Sequence, residues 1–211
     1  MQDVTVTRKQ SEVSMISHLF GVFQEVPLLK FLLLRQCINM FFMNIGSPFL
    51  TIYLVDVKGA DEFILGWRGT VQTAFTVSAS ILIGRLTDRV CIKRVAYLGR
   101  VFGSAGLLLM ILTPPAHPEY LIIVALLESI RMTMFVGWTA FDQELVPLEC
   151  RGRYSGATMM LTGMVGNIAP ILGGLIWELN PDIIWWIRLI GDALIVLPLM
   201  ILIGYKASKT S

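Results

Sequence analysis

Apolar runs separated by short polar connections make up most of the chain from residue 31 onward. Each run approaches the roughly 20 residues that an α-helix needs to cross the hydrocarbon core of a bilayer. The runs lack the alternation of apolar and polar residues that transmembrane β-strands require. The pattern therefore predicts an all-α integral membrane bundle of six spans, at 31–55, 66–86, 95–113, 120–141, 155–178 and 183–204.

The segment before the first span is mixed and mostly polar. Val13, Ile16, Phe20 and Phe23 recur at helical spacing, so 12–24 is either an amphipathic helix on the membrane surface or a flexible tail. The polar start indicates no cleavable signal peptide. We expect three parts: an N-terminal cytoplasmic segment at 1–28, a six-span domain at 29–205 and a cytoplasmic tail at 206–211.

Composition supports a membrane protein. Hydrophobic residues make up 55% and charged residues 15% of the chain, against about 45–50% and about 25% in typical soluble domains. The net charge of +2 is too small to indicate a nucleic-acid partner. Cys37, Cys91 and Cys150 show no metal-ligand spacing, and the last two face a reducing cytoplasm in the predicted topology, so we expect neither a metal site nor a disulfide.

Basic residues collect on one side of the predicted bundle. The loops of that side carry Arg8, Lys9, Lys30, the cluster from Arg85 to Arg94, Arg151, Arg153, Lys206 and Lys209. The opposite side carries Lys58 and Arg68 against Asp56, Asp61, Glu62, Glu119, Glu178 and Asp182. The positive-inside rule therefore predicts that both termini are cytoplasmic, in a multi-pass protein of the cell membrane.

Two loops of the basic side contain distinctive motifs. The loop between the second and third spans follows Gly-x-Leu-x-Asp-Arg-x-x-x-Lys-Arg from Gly84 to Arg94. The loop between the fourth and fifth spans contains Pro-x-Glu-x-Arg-Gly-Arg, from Pro147 to Arg153. Both resemble the corresponding cytoplasmic loops of the major facilitator superfamily of transporters. Cys91 and Ile92 replace a usual glycine and base, as is typical of the second half of such a transporter.

The resemblance implies one six-helix half of a twelve-span fold, more like the C-terminal half, completed by a second chain or by a homodimer. It also implies a secondary active, alternating-access carrier of a small solute, with a proton as a candidate coupling ion. The segment 12–24 then looks like the linker between halves. The alternative is a non-transporting membrane subunit, or a truncated product, that serves assembly.

The resemblance further marks candidate gating residues at the cytoplasmic ends. Asp142 and Glu144 present carboxylates beside the bases of the first loop, so an ion-pair cluster there could hold one state closed. In the family, the aspartate at the position of Asp88 meets the positive end of a helix in the opposite half. Alternatively, these charges only anchor the loops in the headgroups. The motif and gating candidates are Gly84, Asp88, Arg89, Lys93, Arg94, Asp142, Glu144, Arg151 and Arg153.

Charged residues also occur inside the predicted spans, where each costs on the order of 2.5–3.5 kcal/mol at the centre of a lone helix. Glu128 and Arg131 can pair at i, i+3, and their helical face continues through Phe135, Trp138 and Asp142. This face is either cavity-lining or a structural ion pair. Arg188 and Asp192, at i, i+4, are predicted to form a structural pair. The cavity or coupling candidates are Asn44, Gln72, Glu128, Arg131 and Trp138, with Glu128 as the protonatable group.

Small residues and prolines predict local features of the spans. Gly99 with Gly103 indicates a close helix contact, and Pro48 predicts a bend in the outer third of the first span. The run from Ala169 to Gly174 resembles a Pro-x-x-Gly-Gly element of facilitator antiporters, or is an ordinary kinked packing helix.

Enzyme sites are not expected. His18 and His117 both lie outside the spans, and no phosphate-binding Gly-x-x-x-x-Gly-Lys-Ser/Thr occurs. We therefore expect a protein that is not an enzyme and has no cofactor.

Overall fold

The computed structural model describes residues 21, 23, 26–89 and 92–210. Within these ranges, residues 27, 82–84, 86–89, 92, 93, 136, 137, 140, 141 and 206–210 are described by their backbone alone. The predicted surface helix at 12–24 therefore lies outside the described residues, apart from Gly21 and Phe23, as does Cys91.

The described chain forms six helical columns, in the order that the hydropathy predicts. Four of them are α2 (Glu62–Arg89), α3 (Ile92–Leu112), α4 (Tyr120–Glu144) and α5 (Arg151–Trp177). The column α1 (27–57) joins Pro27–Asn44, a 3-10 turn at Ser47–Phe49, a short helix at Leu50–Ile52 and a π-turn at Tyr53–Val57. The column α6 (181–210) joins Pro181–Gly191, a π-turn at Asp192–Val196 and Leu197–Thr210.

Four segments of the described chain are long and apolar enough to cross a membrane: Leu28–Val57, Arg94–Leu112, Leu148–Trp177 and Pro181–Tyr205. They belong to α1, α3, α5 and α6. The other two columns, α2 and α4, have 28 and 25 residues, more than the roughly 20 that a span needs. Because α4 packs against both α2 and α3, the columns form one all-α membrane bundle.

The first column is interrupted where Pro48 predicts a bend, which confirms that prediction. Its first α-helix ends at Asn44, and Pro48 has no N–H to continue the ladder. Glycines let neighbouring helices approach this break closely. A Cβ on Gly46 would lie 3.0 Å from Trp185 Cζ3, and a Cβ on Gly173 would lie 2.0 Å from the carbonyl oxygen of Ile45.

The two glycines that the sequence singles out lie in close contacts between α3 and α4. A Cβ on Gly99 would lie 2.5 Å from Met134 Cβ, and one on Gly103 would lie 2.0 Å from Arg131 Cδ. These two glycines therefore let α4 approach the backbone of α3, as predicted.

Hydrophobic clusters close the two ends of the bundle. One joins the start of α1, the loop after α4, the start of α5 and the end of α6, through Leu29, Leu32, Val146, Tyr154 and Ile203. The other joins the end of α1, the end of α3, the start of α4 and the start of α6, through Tyr53, Leu107, Ile111, Leu121 and Trp185. We call them the basic end and the acidic end, after the charges predicted for the two sides. The antiparallel columns thus put the two motif loops at the same end.

At the acidic end, polar contacts tie α1 to α3 and α6. Buried Lys58 donates a hydrogen bond from Nζ to the carbonyl oxygen of Ile111, at 2.7 Å. This cation stands at the C-terminal end of α3, where the helix dipole favours positive charge. Burial lowers the pKa of Lys58, while nearby Asp182 opposes that shift. Tyr53 donates from its hydroxyl to Asp182 Oδ1 at 2.5 Å.

Candidate functional site

Charged and polar side chains run through the interior of the bundle from its basic end towards its acidic end. We call this set the polar column; it consists of Arg35, Asn39, Arg68, Arg100, Glu128, Arg131, Trp138, Asp142, Arg188 and Asp192. Among the described side chains, ion pairs join α1 to α4, α3 to α6 and α2 to α4. Each pair therefore connects two helices that are distant in sequence.

Nearest the basic end, Asp142 of α4 pairs with Arg35 of α1. Gln36 also donates to Asp142 Oδ2, from Nε2 at 2.9 Å. The Arg35 guanidinium lies over the Trp138 ring, 4.7 Å from its centroid. Both charged side chains are buried, so their mutual contact offsets the cost of removing them from water.

In the middle of the bundle, Asp192 of α6 pairs with Arg100 of α3. Arg100 donates a further hydrogen bond to Asn39 Oδ1 of α1 at 2.6 Å. Ser104 donates to Asp192 Oδ2 at 3.1 Å. This network fixes α1, α3 and α6 together.

Towards the acidic end, Glu128 of α4 pairs with Arg68 of α2 at 2.5 Å. The pairing of Glu128 with Arg131, which the i, i+3 spacing left open, is therefore wrong. Arg68 and Glu128 lie at similar depths, about 9 and 12 Å from the starts of their helices at 1.5 Å per residue. A partner on a packed neighbouring helix thus replaces the partner on the same helix.

The expected pairing of Arg188 with Asp192 is also wrong, because Asp192 pairs with Arg100. Arg131 and Arg188 consequently have no carboxylate within salt-bridge distance among the described side chains. Both direct a guanidinium nitrogen to the sulfur of Met43, at 3.3 Å from Arg131 Nη1 and 3.6 Å from Arg188 Nη2.

The predicted polar face of α4 divides between two environments. Trp138 is only 2% exposed and packs beneath Arg35, whereas Phe135 is 45% exposed. Asn44 donates to the carbonyl oxygen of Met40 in its own helix at 2.9 Å. Gln72 is half-buried, and its backbone carbonyl accepts a hydrogen bond from Ser129 at 3.1 Å. Glu128, Arg131 and Trp138 thus belong to the polar column.

At the basic end, the Asp142 carboxylate faces Arg35 and Gln36. Most side chains of the first motif loop lie outside the described residues, so the gating role of Asp142 stays a prediction. Arg94 and Glu144 are exposed. Arg151 donates from Nε to the carbonyl oxygen of Val146 at 3.2 Å, and Arg153 contacts Cys150 Sγ at 3.5 Å. The side chains of Asp88, Arg89 and Lys93, and the surroundings of Gly84, lie outside the description.

A cavity of about 150 Å³ opens between α1, α4 and α5. Its polar lining comes from Arg35, Gln36, Asn39, Thr139, Asp142 and Thr162, with Trp138 beside them. Residues of the polar column therefore line this cavity, and α5 contributes Thr162 to its wall.

Sequence reasoning missed Arg35 and Arg100, although both are central to the polar column. Each stands inside a predicted span, and an ionisable residue in a span is itself a signal of a functional or paired site. That signal was available for Arg35 and Arg100 as it was for Glu128 and Arg131.

The described residues contain no group of His, Cys, Asp and Glu able to hold a metal ion. Cys37 and Cys150 form no disulfide with one another.

The fold and the polar column define a class: an α-helical multi-pass membrane protein whose interior carries charges contributed by several helices. A family model described as the Major Facilitator Superfamily matches residues 32–209. Because this match covers most of the chain, the chain belongs to the major facilitator superfamily and is a transporter of that type. Members of the family reside in the lipid bilayer and transport small solutes. They are transporters and not enzymes. A search of curated proteins and a search of solved structures gave no significant match.

Proposed function

We propose that this chain works as a secondary active carrier of a small solute and that its six helices form one half of an alternating-access transporter. The observation that carries the proposal is the polar cavity between α1, α4 and α5. At about 150 Å³, it is about half the size of the smallest typical ligand pockets, which begin at roughly 300 Å³. A second half facing it would complete the site.

The outer faces of α2 and α5 support a second half. Gly66 and Gly69 on α2, and Gly152 on α5, have open space where a Cβ would stand. Small residues at a helix surface permit close packing of helices within a membrane. The complementary half comes from a second chain, from a homodimer or from a longer polypeptide of which these residues are part.

The charge distribution supports an orientation with the basic end in the cytoplasm and, with it, both termini. In this orientation the two motif loops form the cytoplasmic gate of a protein of the cell membrane. Arg94, Glu144, Arg151 and Arg153 then contact the opposite half in one state and separate from it in the other. Gly84, Asp88, Arg89 and Lys93 complete the proposed gate.

Glu128 is the proposed coupling group for a proton. Its carboxylate is the partner of Arg68 and ties α2 to α4. Protonation removes the charge that holds Arg68, so α2 is freed to move relative to α4. Loading a proton and changing state are thereby linked through a single contact.

Replacing Glu128 with Gln tests this role, because glutamine keeps the shape of the side chain and cannot carry the proton. We expect Glu128→Gln to abolish acceleration of uptake by an imposed pH gradient in proteoliposomes. Exposed Glu178 at the acidic end provides the matched control, and Glu178→Gln should retain that acceleration. Unchanged proton dependence in Glu128→Gln would remove Glu128 from the coupling role.

Reconstitution of the chain into vesicles tests the carrier itself. We expect solute counterflow, in which internal unlabelled solute drives entry of labelled solute, and a particle mass in mild detergent that corresponds to two six-helix halves. A stable monomer without counterflow would overturn the homodimeric carrier and favour a non-transporting membrane subunit, or a half that needs a different second half.

A further inference from the structure

We infer that the solute of this carrier bears a carboxylate or phosphate group and that Arg131 and Arg188 bind it. The inference rests on the proposed function, because the bound anion is a transported solute only if the protein is a carrier. The charged group of the solute is assigned to a crevice with a surplus of positive charge, which is separate from the cavity between α1, α4 and α5.

The crevice lies between α1, α3, α4 and α6. Its lining includes Met43, Gly103, Glu128, Arg131, Arg188 and Asp192. Its two carboxylates are already engaged, since Glu128 pairs with Arg68 and Asp192 pairs with Arg100. Among the described side chains, Arg131 and Arg188 therefore remain as two cations without a counter-ion.

Two uncompensated cations at this depth are costly. A single arginine inside a membrane-spanning helix is already unfavourable, and two close to each other also repel. An anion between them removes both penalties at once. The cost in the empty state is therefore the source of affinity for a negatively charged solute.

Met43 marks the position that the anion takes. Both guanidinium groups contact the same sulfur, at 3.3 and 3.6 Å, so one carboxylate or phosphate at that point reaches both. A thioether sulfur is only a weak hydrogen-bond acceptor, whereas guanidinium groups bind carboxylate and phosphate strongly and often through two parallel hydrogen bonds.

The crevice has only about 10 Å³ of room, roughly that of one water molecule. Binding therefore requires the Met43 side chain to swing away. Methionine suits this movement because it is unbranched and has three rotatable bonds. Gly103 lines the crevice and leaves room for the Arg131 side chain, since any Cβ there would collide with it.

Binding to the full chain in detergent tests the inference without requiring transport. Titration calorimetry with succinate and with inorganic phosphate should detect saturable binding of at least one of these anions. Succinamide, the neutral diamide of succinate, should not bind. Arg131→Gln and Arg188→Gln should each weaken binding at least tenfold. Lys30→Gln, which removes an exposed cation at the basic end, should leave it unchanged.

The outcomes separate this inference from the carrier proposal. Binding of neither anion, or equal binding in wild type and in both glutamine variants, would overturn the arginine site. Counterflow of only neutral or cationic solutes would also overturn it, while the carrier proposal would stand. Arginine-dependent anion binding without counterflow would overturn the carrier proposal alone.

Discussion

Arg100 and Arg131 carry the same charge on neighbouring helices, yet their surroundings differ. Arg100 contacts the carboxylate of Asp192 and the amide oxygen of Asn39. Arg131 has only the sulfur of Met43 as a hydrogen-bond acceptor among the described contacts. The same residue type thus contributes oppositely to stability at the two positions.

We therefore expect opposite effects of the same substitution on the free energy of unfolding. Arg100→Gln leaves Asp192 buried without its partner and should destabilise the protein by about 3–5 kcal/mol. Arg131→Gln removes an uncompensated charge and should leave stability unchanged or raise it. Unfolding by sodium dodecyl sulfate in mixed micelles, followed by circular dichroism, gives both values. Equal loss in the two variants would contradict the assignment of Arg131 as unpaired.

At the scale of helices, the contact of α5 with the break in α1 depends on the absence of one side chain. A Cβ on Gly173 would lie 2.0 Å from the carbonyl oxygen of Ile45, and backbone atoms cannot move aside cheaply. Ala169 and Gly173 are buried in this contact. The Pro-x-x-Gly-Gly run therefore serves packing of α5 against α1.

Gly173→Ala should destabilise the bundle by about 1–3 kcal/mol, as overpacking of a close contact usually does. The adjacent residue gives the control, because a Cβ on Gly174 would meet Phe49 Cζ at an ordinary 3.7 Å. Gly174→Ala should be neutral, or stabilising by up to about 1 kcal/mol through reduced backbone freedom. Thermal unfolding in detergent distinguishes the two. A neutral Gly173→Ala would show that the helices are not in close contact.

The sequence predicted the helical columns well and the contacts of their charges poorly, and both results have a physical cause. A span must be long and mostly apolar, so the apolar runs predicted where the six helical columns lie, four of which are long and apolar enough to cross a membrane. The pairing of charged side chains depends on which helices are in contact and on how deep each side chain lies in the bundle. The spacing of Glu128 from Arg131 could not reveal that Arg68 on α2 lies closer. For the same reason, the sequence could not reveal that Arg35 on α1 pairs with Asp142.

At the scale of the whole molecule, the columns place the starts of α3 and α5 at one end and the end of α5 at the other. Exposed Arg94 and Glu149 mark the first end, and exposed Glu178 marks the second. The antiparallel packing of the columns therefore predicts, independently of the charges, that Arg94 and Glu149 lie on one side of the membrane and Glu178 on the other.

Single cysteines at these positions, in a variant without Cys37, Cys91 and Cys150, should report this sidedness in whole cells. Arg94→Cys and Glu149→Cys should resist a membrane-impermeant maleimide until the membrane is permeabilised. Glu178→Cys should react at once. Reaction of Arg94→Cys and Glu149→Cys from opposite faces would contradict the topology.

The interrupted first column has a mechanical consequence for a carrier of the proposed kind. It consists of two short rods, which are helical segments joined at Ile45 and Gly46, and each segment makes its own polar contacts with other helices. The rod near the basic end is held to α4 by Arg35 and Asp142. The other is held to α3 and α6 by Lys58 and Tyr53. In the proposed alternating-access cycle, we expect the contacts at one end to break while those at the other end hold, so that the membrane stays closed to leaks.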